Sequence, residues 1–354
     1  MRRKNLIVKR KVKKVIIRDK KIQKIYLQFK KIIFKNIKKN NFAIAVSGGS
    51  DSLCLAYFSS LYSKEFKNKI HVLIVDHKLR KESYSEAILV KKILKKKNIR
   101  SKLLRWHGKT PESNIQSKAR IIRYSLIHNY CKENNIKYLL TAHHMDDQIE
   151  NFFIRLFRGS GITGLASMSE SFNYSKSLKI IRPFLILKKN DLRHVTVKYF
   201  KTYIQDPSNE NEKYLRVRIR KYRSSMEKEG LDTNKIIKTV NNLLSANKAL
   251  IFYKNKALKK YASFLSKDKC LIDKQIFTEE AGEIIFKFFS DIFSLISGKY
   301  YPPRSKKIIN LINRTKKINF EKCTLGGCVV EKRDSFILVS RETKAKRTAY
   351  QLHK

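Results

Sequence analysis

The chain has 354 residues, the length of about two typical domains, and its 42% hydrophobic content excludes wholesale disorder. It carries 80 Lys and Arg residues against 29 Asp and Glu residues, a formal net charge of +51. Codon bias in an AT-rich genome favours Lys, but it does not explain why acidic residues are so few. A field of this sign and size attracts polyanions, so we expect a nucleic acid partner.

The cysteines and the apolar segments predict a cytoplasmic protein without membrane association. The 5 Cys are an odd number without framework spacing, as expected in a reducing compartment. Basic residues interrupt the apolar runs of residues 1–40, so no signal peptide is predicted. The most apolar later stretch, Ile284 to Ile296, contains Lys287 and Asp291 and is too short to span a bilayer. It predicts a buried helix.

The first half of the chain alternates short β-branched runs with longer helical patterns. Strands are predicted at Phe42–Val46, Val72–Val75, Lys102–Trp106 and Tyr138–Thr141. Helices are predicted from Leu53, over Glu82–Lys97, over Ile115–Tyr130 and from Asp147. This alternation indicates an α/β fold with a doubly wound parallel sheet. Ligands of such sheets bind beyond the carboxyl ends of the strands.

The second half of the chain has a different pattern. Helices are predicted over Asp232–Phe264, Glu279–Ile296 and Ser305–Ile312, and a short hairpin is predicted from Cys328–Val330 and Phe336–Val339. Charged residues and Gly230 interrupt the patterns between Glu227 and Asp232. We therefore expect a catalytic domain over residues 1–226 and a second, mostly helical domain with a short C-terminal hairpin over residues 227–354.

The strongest motif lies between the first predicted strand and its helix, and it consists of Ser47, Gly48, Gly49, Ser50, Asp51 and Ser52. The glycines permit a tight turn and close approach of a ligand. Backbone amides and serine hydroxyls at a helix N-terminus suit phosphate oxygens. Asp51 suits a Mg²⁺ ion placed between the carboxylate and the ligand. A turn without a ligand is the alternative, but strand, helix and carboxylate together favour ATP.

The spacing differs from a Walker A loop, because no Gly-Lys-Ser/Thr follows. The motif resembles the pyrophosphate loop of enzymes that cleave ATP to AMP and pyrophosphate. These enzymes activate a carbonyl oxygen by adenylation, and a nucleophile then displaces AMP. The resemblance implies the fold called adenine nucleotide alpha hydrolase-like.

Further motifs follow in chain order and narrow the family. They are Val75-Asp76-His77-Lys78-Leu79-Arg80, Glu112-Ser113-Asn114, Ala119-Arg120, Arg123-Tyr124, His143 to Glu150, Arg158-Gly159-Ser160-Gly161, Gly164-Leu165, Arg182-Pro183, Asp206 to Asn209 and Arg216 to Arg220. In this order they resemble the tRNA(Ile)-lysidine synthase family from about Asn41 to Arg220, and more thinly from Thr324 to Glu342. Asn151 departs from the family, which usually has Thr there. The last domain of longer members is not expected, because the chain ends soon after Glu342.

The resemblance implies a bacterial ligase with ATP, Mg²⁺, free L-lysine and a CAU-anticodon tRNA(Ile) as cofactors and partners. The C2 oxygen of the wobble cytidine attacks the α-phosphate of ATP, and pyrophosphate leaves. The ε-amine of lysine then attacks C2 and expels AMP, which gives lysidine and changes the codon read from AUG to AUA. The oligomeric state stays open, with a homodimer as one alternative.

Four residues are candidates for the chemistry: Asp51, His143, Asp147 and Glu150. Asp147 and Glu150 are spaced i, i+3 on a helix and share a face, where two carboxylates can hold the lysine substrate and deprotonate its amine. A helix-capping role is the alternative for Asp146 or Asp147. A zinc site is disfavoured, because no Cys/His cluster accompanies the histidines, and Cys323 and Cys328 lack Cys-x-x-Cys spacing.

The candidates for contacts with tRNA or phosphate are Arg120, Arg123, Arg155, Arg158, Arg216 and Arg220, with Arg218 beside them. Arginines bind the RNA backbone, and aromatic side chains stack on unpaired bases. A solvated helix face is the alternative for Arg120 and Arg123. For Tyr203 and Tyr214, a core or surface role is favoured over stacking on bases.

Three other functions are compatible with parts of the sequence. A pyrophosphate-loop tRNA thiolase usually needs paired reactive cysteines, whereas Cys54 and Cys131 are isolated in apolar helical patterns. An amide-forming synthetase would not need this positive charge and usually carries a glutamine-handling domain. A non-catalytic basic RNA-binding protein would need neither Asp51 nor Asp147.

Overall fold

The computed structural model describes residues 16–78, 82–108, 115–205, 212, 215–299, 301–317 and 319–342. The chain forms two compact units, residues 1–243 and 244–354. The division falls inside a helix that spans Thr233–Tyr261, later than the predicted boundary of 226/227. The helical pattern that begins after Asp232 continues without interruption, so the break at Gly230 ends one helix without separating two units.

The first unit is built on a six-stranded sheet. Its strands are β1 (Phe42–Ala45), β2 (Ile70–Asp76), β3 (Ser101–Arg105), β4 (Tyr138–Leu140), β5 (Ser171–Asn173) and β6 (Lys179–Ile181), in the order β3-β2-β1-β4-β6-β5. Every neighbouring pair is parallel except β5 and β6. Its helices are α1 (Lys20–Asn36), α2 (Ser50–Phe66), α3 (Ser83–Lys95), α4 (Ile115–Glu133), α5 (Met145–Leu156), α6 (Ile162–Leu165), α7 (Lys189–Phe200) and α8 (Leu215–Lys228).

Both faces of this sheet are buried, because alternate residues of each central strand enter different cores. Phe42 and Ile44 of β1 pack in the larger core, with residues from α1, α2, α3 and α7. Ala43 packs in the smaller core with Ile127 and Cys131 of α4. The two-sided burial agrees with the predicted doubly wound α/β fold.

The strand order reverses direction at β1, because the chain runs outward to β2 and β3 and then returns to place β4 on the other side. Phe42 pairs with Ile70 of β2, and Ala43 pairs with Leu139 of β4. The connections that follow β1 and β4 therefore leave the same edge of the sheet as neighbours. This switch point is where open α/β sheets bind their ligands.

The second unit contains the end of α9 (Thr233–Tyr261) and a five-stranded antiparallel sheet. The strands are β7 (Ala262–Ser266), β8 (Lys269–Asp273), β9 (Lys322–Leu325), β10 (Cys328–Arg333) and β11 (Phe336–Arg341), in the order β7-β8-β11-β10-β9. The helices α10 (Ile276–Glu279), α11 (Gly282–Ser297) and α12 (Ser305–Thr315) complete it. The predicted C-terminal hairpin is thus two strands of a larger sheet. The strand β11 of this hairpin pairs with β8, which lies far away in sequence, and periodicity alone does not reveal such a pairing.

The apolar segment around Phe288 is a core helix of the second unit. Phe288, Phe289 and Phe293 of α11 are fully buried and pack among residues of the five-stranded sheet and of α12. In the part of the chain that the structure describes, no helix combines the length and the apolarity that crossing a membrane requires.

Candidate active site

The connection from β1 to α2 is held in shape by the hydroxyl of Ser52. Its Oγ accepts hydrogen bonds from the backbone amides of Ser47 (3.2 Å) and Gly48 (3.1 Å) and donates one to the carbonyl of Gly49 (3.0 Å). The carbonyl of Gly48 accepts from the amide of Ile204 at 3.0 Å. The loop is therefore fixed by its own residues and by the segment after α7.

The two glycines of this loop have different surroundings. Gly48 has a φ of +93°, and a Cβ atom there would lie 2.5 Å from Cγ2 of Val90. A Cβ atom on Gly49 would meet nothing closer than Ser47 Oγ at 4.0 Å. Gly48 is thus required by the backbone and the packing, whereas Gly49 leaves space open for a ligand.

A cavity of about 300 Å³ opens at this edge of the sheet. Of the predicted loop residues, Ser47, Gly49, Asp51 and Ser52 line it. Gly48 and Ser50 do not: Ser50 is buried, and its carbonyl accepts a hydrogen bond from Thr196 Oγ1 at 2.6 Å. The remaining lining residues include Ala45, Val46, Leu73, Ile74, Val75, His77, Ser83, Glu86, Ala87, Arg120, Arg123, Tyr124, Ile127, Thr141, Ala142, His143 and Asp147.

The cavity has the features that an adenine nucleotide requires. Apolar side chains of β2 and α3, among them Ile74 and Ala87, form part of its wall. The open side of Gly49 and the N-terminus of α2 form another part, where backbone amides and the helix dipole attract phosphate. The residues present therefore fit ATP, with the phosphates at the loop.

Three carboxylates surround the imidazole of His144. Its Nε2 lies 3.4 Å from Asp51 Oδ2 and 3.5 Å from Asp147 Oδ2, and its Nδ1 lies 3.6 Å from Asp146 Oδ2. His144 precedes α5, and its backbone amide donates to Asp147 Oδ2 at 3.1 Å. The N-cap residue of α5 is therefore His144 and not Asp146 or Asp147, although Asp147 satisfies a free amide at the start of the helix from its third position and also lines the cavity.

The charges of this cluster shift the pKa values of its members. Burial alone would lower the pKa of His144, but the hydrogen bond to Asp51 and the charges of Asp147 and Asp146 outweigh burial and raise it. Burial would raise the pKa of Asp147, but the charge of His144 and the hydrogen bond from the His144 amide hold it below its usual value. The opposite charges of His144 and Asp147 therefore each favour the charged form of the other.

His143 has the opposite environment to its neighbour. Burial lowers the pKa of its imidazole, and the charges of Arg182, Arg120 and Arg216 lower it further against the effect of Asp147. Its Nδ1 lies 2.9 Å from Thr141 Oγ1, and the side chain lines the cavity. An uncharged imidazole at this position can accept a proton from a reacting group.

Glu150, predicted to face the substrate with Asp147, does not line the cavity. It is 2% exposed, and Arg220 donates to both of its oxygens, from Nε at 2.6 Å and from Nη2 at 3.2 Å. Arg216 Nε lies 3.9 Å from Glu150 Oε2. Two of the arginines predicted to contact tRNA thus face a carboxylate of α5, because α8 packs against α5.

The other predicted arginines lie in two places. Arg120 and Arg123 of α4 line the cavity, and the guanidinium of Arg120 lies 5.0 Å from the centre of the Tyr124 ring. Arg155 and Arg158, at the end of α5, are exposed and outside the cavity wall. The motif residues 79–80, 112–114 and 206–209, and Tyr214, lie outside the described residues.

Asn151, where the chain departs from the family motif, has a structural contact. Its Nδ2 donates to Ser167 Oγ at 3.0 Å, and Ser167 Oγ donates in turn to the carbonyl of Gln148 at 3.2 Å. Gln148 also exchanges two hydrogen bonds of 2.8 Å with the backbone of Met168. Asn151 therefore helps to hold the segment after α6 against α5.

Arg223 was not among the predicted site residues, and Asp146 was predicted only as a helix cap. Arg223 Nη1 donates to Asp146 Oδ1 at 2.7 Å, and the amide of Lys189 donates to Asp146 Oδ2 at 2.9 Å. One sequence signal was available for Arg223: with Arg216 and Arg220 it forms an i, i+4, i+7 row, which places three arginines on one face of a helix.

Comparisons with known proteins identify the family. The model of the PP-loop domain family matches residues 20–224. A tRNA(Ile)-lysidine synthase of Orientia tsutsugamushi (strain Boryong) is 35% identical over 312 residues, which cover 85% of this chain and 69% of that protein. The chain belongs to the tRNA(Ile)-lysidine synthase family. Members from Wolbachia pipientis wMel (33% identity, 88% of this chain and 74% of that protein) and Rickettsia akari (strain Hartford) (34% identity, 87% and 71%) agree.

Membership in the lysidine synthase family confirms the predicted family, and the PP-loop match confirms the predicted α/β class. Among solved structures, the U34-tRNA thiolase NcsA from Methanococcus maripaludis with its [4Fe-4S] cluster is similar, with a TM-score of 0.55 and 18% identity over 64% of this chain and 79% of that chain. At this identity the likeness shows the shared fold alone.

Proposed function

We propose that this enzyme joins free lysine to C2 of the wobble cytidine in a CAU-anticodon tRNA(Ile), with cleavage of ATP to AMP and pyrophosphate. The observation that carries the proposal is the position of Asp51 and Asp147 on one cavity wall, each within 3.5 Å of the same imidazole. One carboxylate belongs to the pyrophosphate loop and the other to the motif after β4. The two halves of the reaction thus share one site.

The first step is the attack of the cytidine C2 oxygen on the α-phosphate of ATP. The loop binds the β- and γ-phosphates through amides at the N-terminus of α2, with the open side of Gly49 against them. A Mg²⁺ ion held by Asp51 would neutralise phosphate charge at this position. Arg120 and Arg123, which also line the cavity, attract the negatively charged groups of nucleotide and tRNA.

The second step is the attack of the lysine ε-amine on C2, and AMP leaves. Asp147 is held charged in the cavity wall, so it binds the cationic lysine and orients its amine. Asp147 also accepts the proton that the attacking amine loses, and the uncharged imidazole of His143, a weak base because its pKa is lowered, makes a polar contact with phosphate or base at the cavity wall. Glu150 contributes indirectly, since its contacts with Arg220 fix α8 on α5.

The state of the cysteines argues against sulfur transfer. Burial raises the pKa of Cys54 well above its usual value and that of Cys131 to about 12. Burial also raises the pKa of Cys270 and Cys328 to about 11. Sulfur transfer needs a reactive thiolate, and these thiols stay protonated at neutral pH.

The second unit is proposed to bind tRNA through one face of α9. Lys248, Phe252, Lys256 and Lys259 follow each other at i, i+4, i+8 and i+11, and all four are exposed; we call them the α9 stripe. Phe252 is 65% exposed and contacts the ring of Tyr253, which is 54% exposed. Exposed aromatics between lysines suit stacking on unpaired bases beside phosphate contacts.

The function is tested with purified protein, ATP, Mg²⁺, radiolabelled lysine and a CAU-anticodon tRNA(Ile) transcript. We expect label to enter the tRNA only when ATP is present, and one pyrophosphate to be released per lysine attached. Label from cysteine sulfur instead of lysine would establish a thiolase. Sedimentation of the same protein tests the proposed homodimer, and cell fractionation tests the proposed cytoplasmic location.

Asp51→Ala is the matched variant for this assay. We expect it to abolish pyrophosphate release and to leave tRNA binding nearly unchanged, because Asp51 acts on the nucleotide. Intact ATP cleavage with lost tRNA binding would refute the role given to Asp51.

A further inference from the structure

His144 is buried next to two residues of the cavity wall without lining the cavity itself. It is 4% exposed and does not line the cavity, yet its Nε2 faces Asp51 and Asp147, which both do. Its backbone is held by two hydrogen bonds, because Met145 N donates to the carbonyl of Leu187 at 2.9 Å and His144 N donates to Asp147. His144 is also the N-cap residue of α5 and forms a capping box with Asp147, so the same residue begins the helix and faces the two carboxylates.

The two carboxylates that flank this nitrogen come from different connections of the sheet. Asp51 follows β1 and Asp147 follows β4, and two negative charges so close to one point repel each other. A ring nitrogen at 3.4 Å from one carboxylate and 3.5 Å from the other offsets this repulsion. The position of the ring thus sets how far apart the two carboxylates stand.

On its other side the ring faces a chain of charged and polar groups, and Nδ1 itself makes no hydrogen bond to the described residues. Its Nδ1 lies 3.6 Å from Asp146 Oδ2, and Asp146 is fixed by Arg223 and by the amide of Lys189. Arg223 in turn donates to Glu227 Oε1 at 2.7 Å and to Thr233 Oγ1 at 3.3 Å. These contacts reach from α8 and the start of α9 to the active-site imidazole.

We propose that His144 is a positioning residue that fixes the separation of Asp51 and Asp147, and that Arg223 fixes His144 through Asp146. The proposal rests on the proposed function, since Asp51 serves the step with ATP and Asp147 the step with lysine. Both half-reactions then depend on one side chain that touches neither substrate. Misplacing reacting groups by about 1 Å costs on the order of 100-fold in rate.

The first test compares His144→Ala with His144→Gln, whose side-chain amide keeps a donor. We expect H144A to slow tRNA-dependent pyrophosphate release and lysine transfer by about 100-fold each. Its dissociation constant for ATP with Mg²⁺, measured by calorimetry, should change by less than about threefold, because we expect the substitution to lower kcat and not the affinity for ATP. H144Q should recover at least about tenfold of the rate. An H144Q as slow as H144A would overturn the role of the donor.

The second test is a double-mutant cycle with Arg223→Met. We expect R223M to slow both steps by about tenfold when His144 is present and to have no further effect in H144A, because its influence passes through the imidazole. An equal effect in both backgrounds would overturn the connection. Lys221→Met is the control, since Lys221 of the same helix forms an exposed ion pair with Glu212, and its rates should match the wild type.

Crystal structures of the wild type and H144A give a readout that needs no turnover. We expect the carboxylates of Asp51 and Asp147 to move apart in H144A, and an unchanged separation would overturn the positioning role. If the wild-type enzyme attached no lysine to tRNA, the proposed function would fail, while this structural comparison would still decide the role of His144.

Discussion

Arg220 donates two hydrogen bonds to Glu150, from Nε to Oε1 at 2.6 Å and from Nη2 to Oε2 at 3.2 Å. These residues stand 70 positions apart in the chain, and the sequence motifs assigned them to different tasks. Their contact makes α8 a part of the catalytic unit, because it anchors this helix on the helix that carries Asp147.

Arg220→Met should destabilise the first unit, because it removes both hydrogen bonds to the buried carboxylate of Glu150 and leaves it facing the more distant Arg216 Nε at 3.9 Å. A fully buried pair would lose about 3–5 kcal/mol, and partial exposure of Arg220 reduces the expected loss to about 2 kcal/mol. The double variant E150Q/R220M should recover part of this loss, because no charge is then left unpaired. Urea unfolding measures all three free energies, and equal losses in single and double variants would contradict the buried pair.

Gly48→Ala and Gly49→Ala should separate folding from nucleotide binding. G48A combines a positive φ with a contact of 2.5 Å to Val90, so we expect a loss of about 1–3 kcal/mol in the free energy of unfolding. G49A meets no atom closer than 4.0 Å and should unfold like the wild type, but its methyl group enters the space for phosphate. Calorimetry should show at least about tenfold weaker ATP binding for G49A; unchanged affinity would place the phosphates elsewhere.

Asp146 should make stability depend on pH in the acid range. Burial would raise its pKa, but the Lys189 amide and Arg223 outweigh burial and hold the pKa below 3.8 in the folded chain. A lowered pKa stabilises the fold above the unfolded value, and this contribution is lost as the pH falls through the folded pKa. The stability difference between wild type and D146N should therefore shrink as the pH falls below 3.8. A difference that grows with acid would have the wrong sign.

The α9 stripe should contribute to tRNA affinity in two distinguishable ways. Phe252→Ala should weaken binding by about 1–3 kcal/mol with little change in salt dependence, because a stacking contact is lost. Lys256→Gln should instead reduce the slope of log affinity against log salt by about one. Phe336→Ala removes another exposed phenylalanine of the same unit and serves as the control. If F252A bound tRNA normally but changed the sedimentation of the protein, the stripe would be a contact between copies of the chain.

The pattern of apolar residues along the chain predicted the strands and helices of the first unit that surround the pyrophosphate loop. The strand that precedes Ser47 and the helix that follows Asp51 were placed correctly within a few residues, since burial on both sheet faces gives continuous apolar runs. The cluster around His144 was also within reach, because β1 and β4 are neighbours in a doubly wound sheet and bring their loops together. His144 itself was named only within the motif His143 to Glu150, and no role was predicted for it.

Contacts between distant helices could not be predicted in this way. Arg223 and Asp146 are 77 positions apart, and nothing in either local sequence specifies that α8 packs on α5. The sheet of the second unit was missed for a related reason: β8 pairs with β11, and the helices α10, α11 and α12 and the strands β9 and β10 lie between them in the chain. Periodicity identifies which face of an element is buried, but it does not identify the partner.

The three hydrogen bonds that Ser52 makes within its own loop have a kinetic meaning. A phosphate-binding loop that must be ordered by its ligand spends part of the binding free energy on that ordering. Here the concave shape is set as the chain folds, before any nucleotide arrives. Encounter with ATP should then be limited by diffusion and charge rather than by rearrangement of the loop.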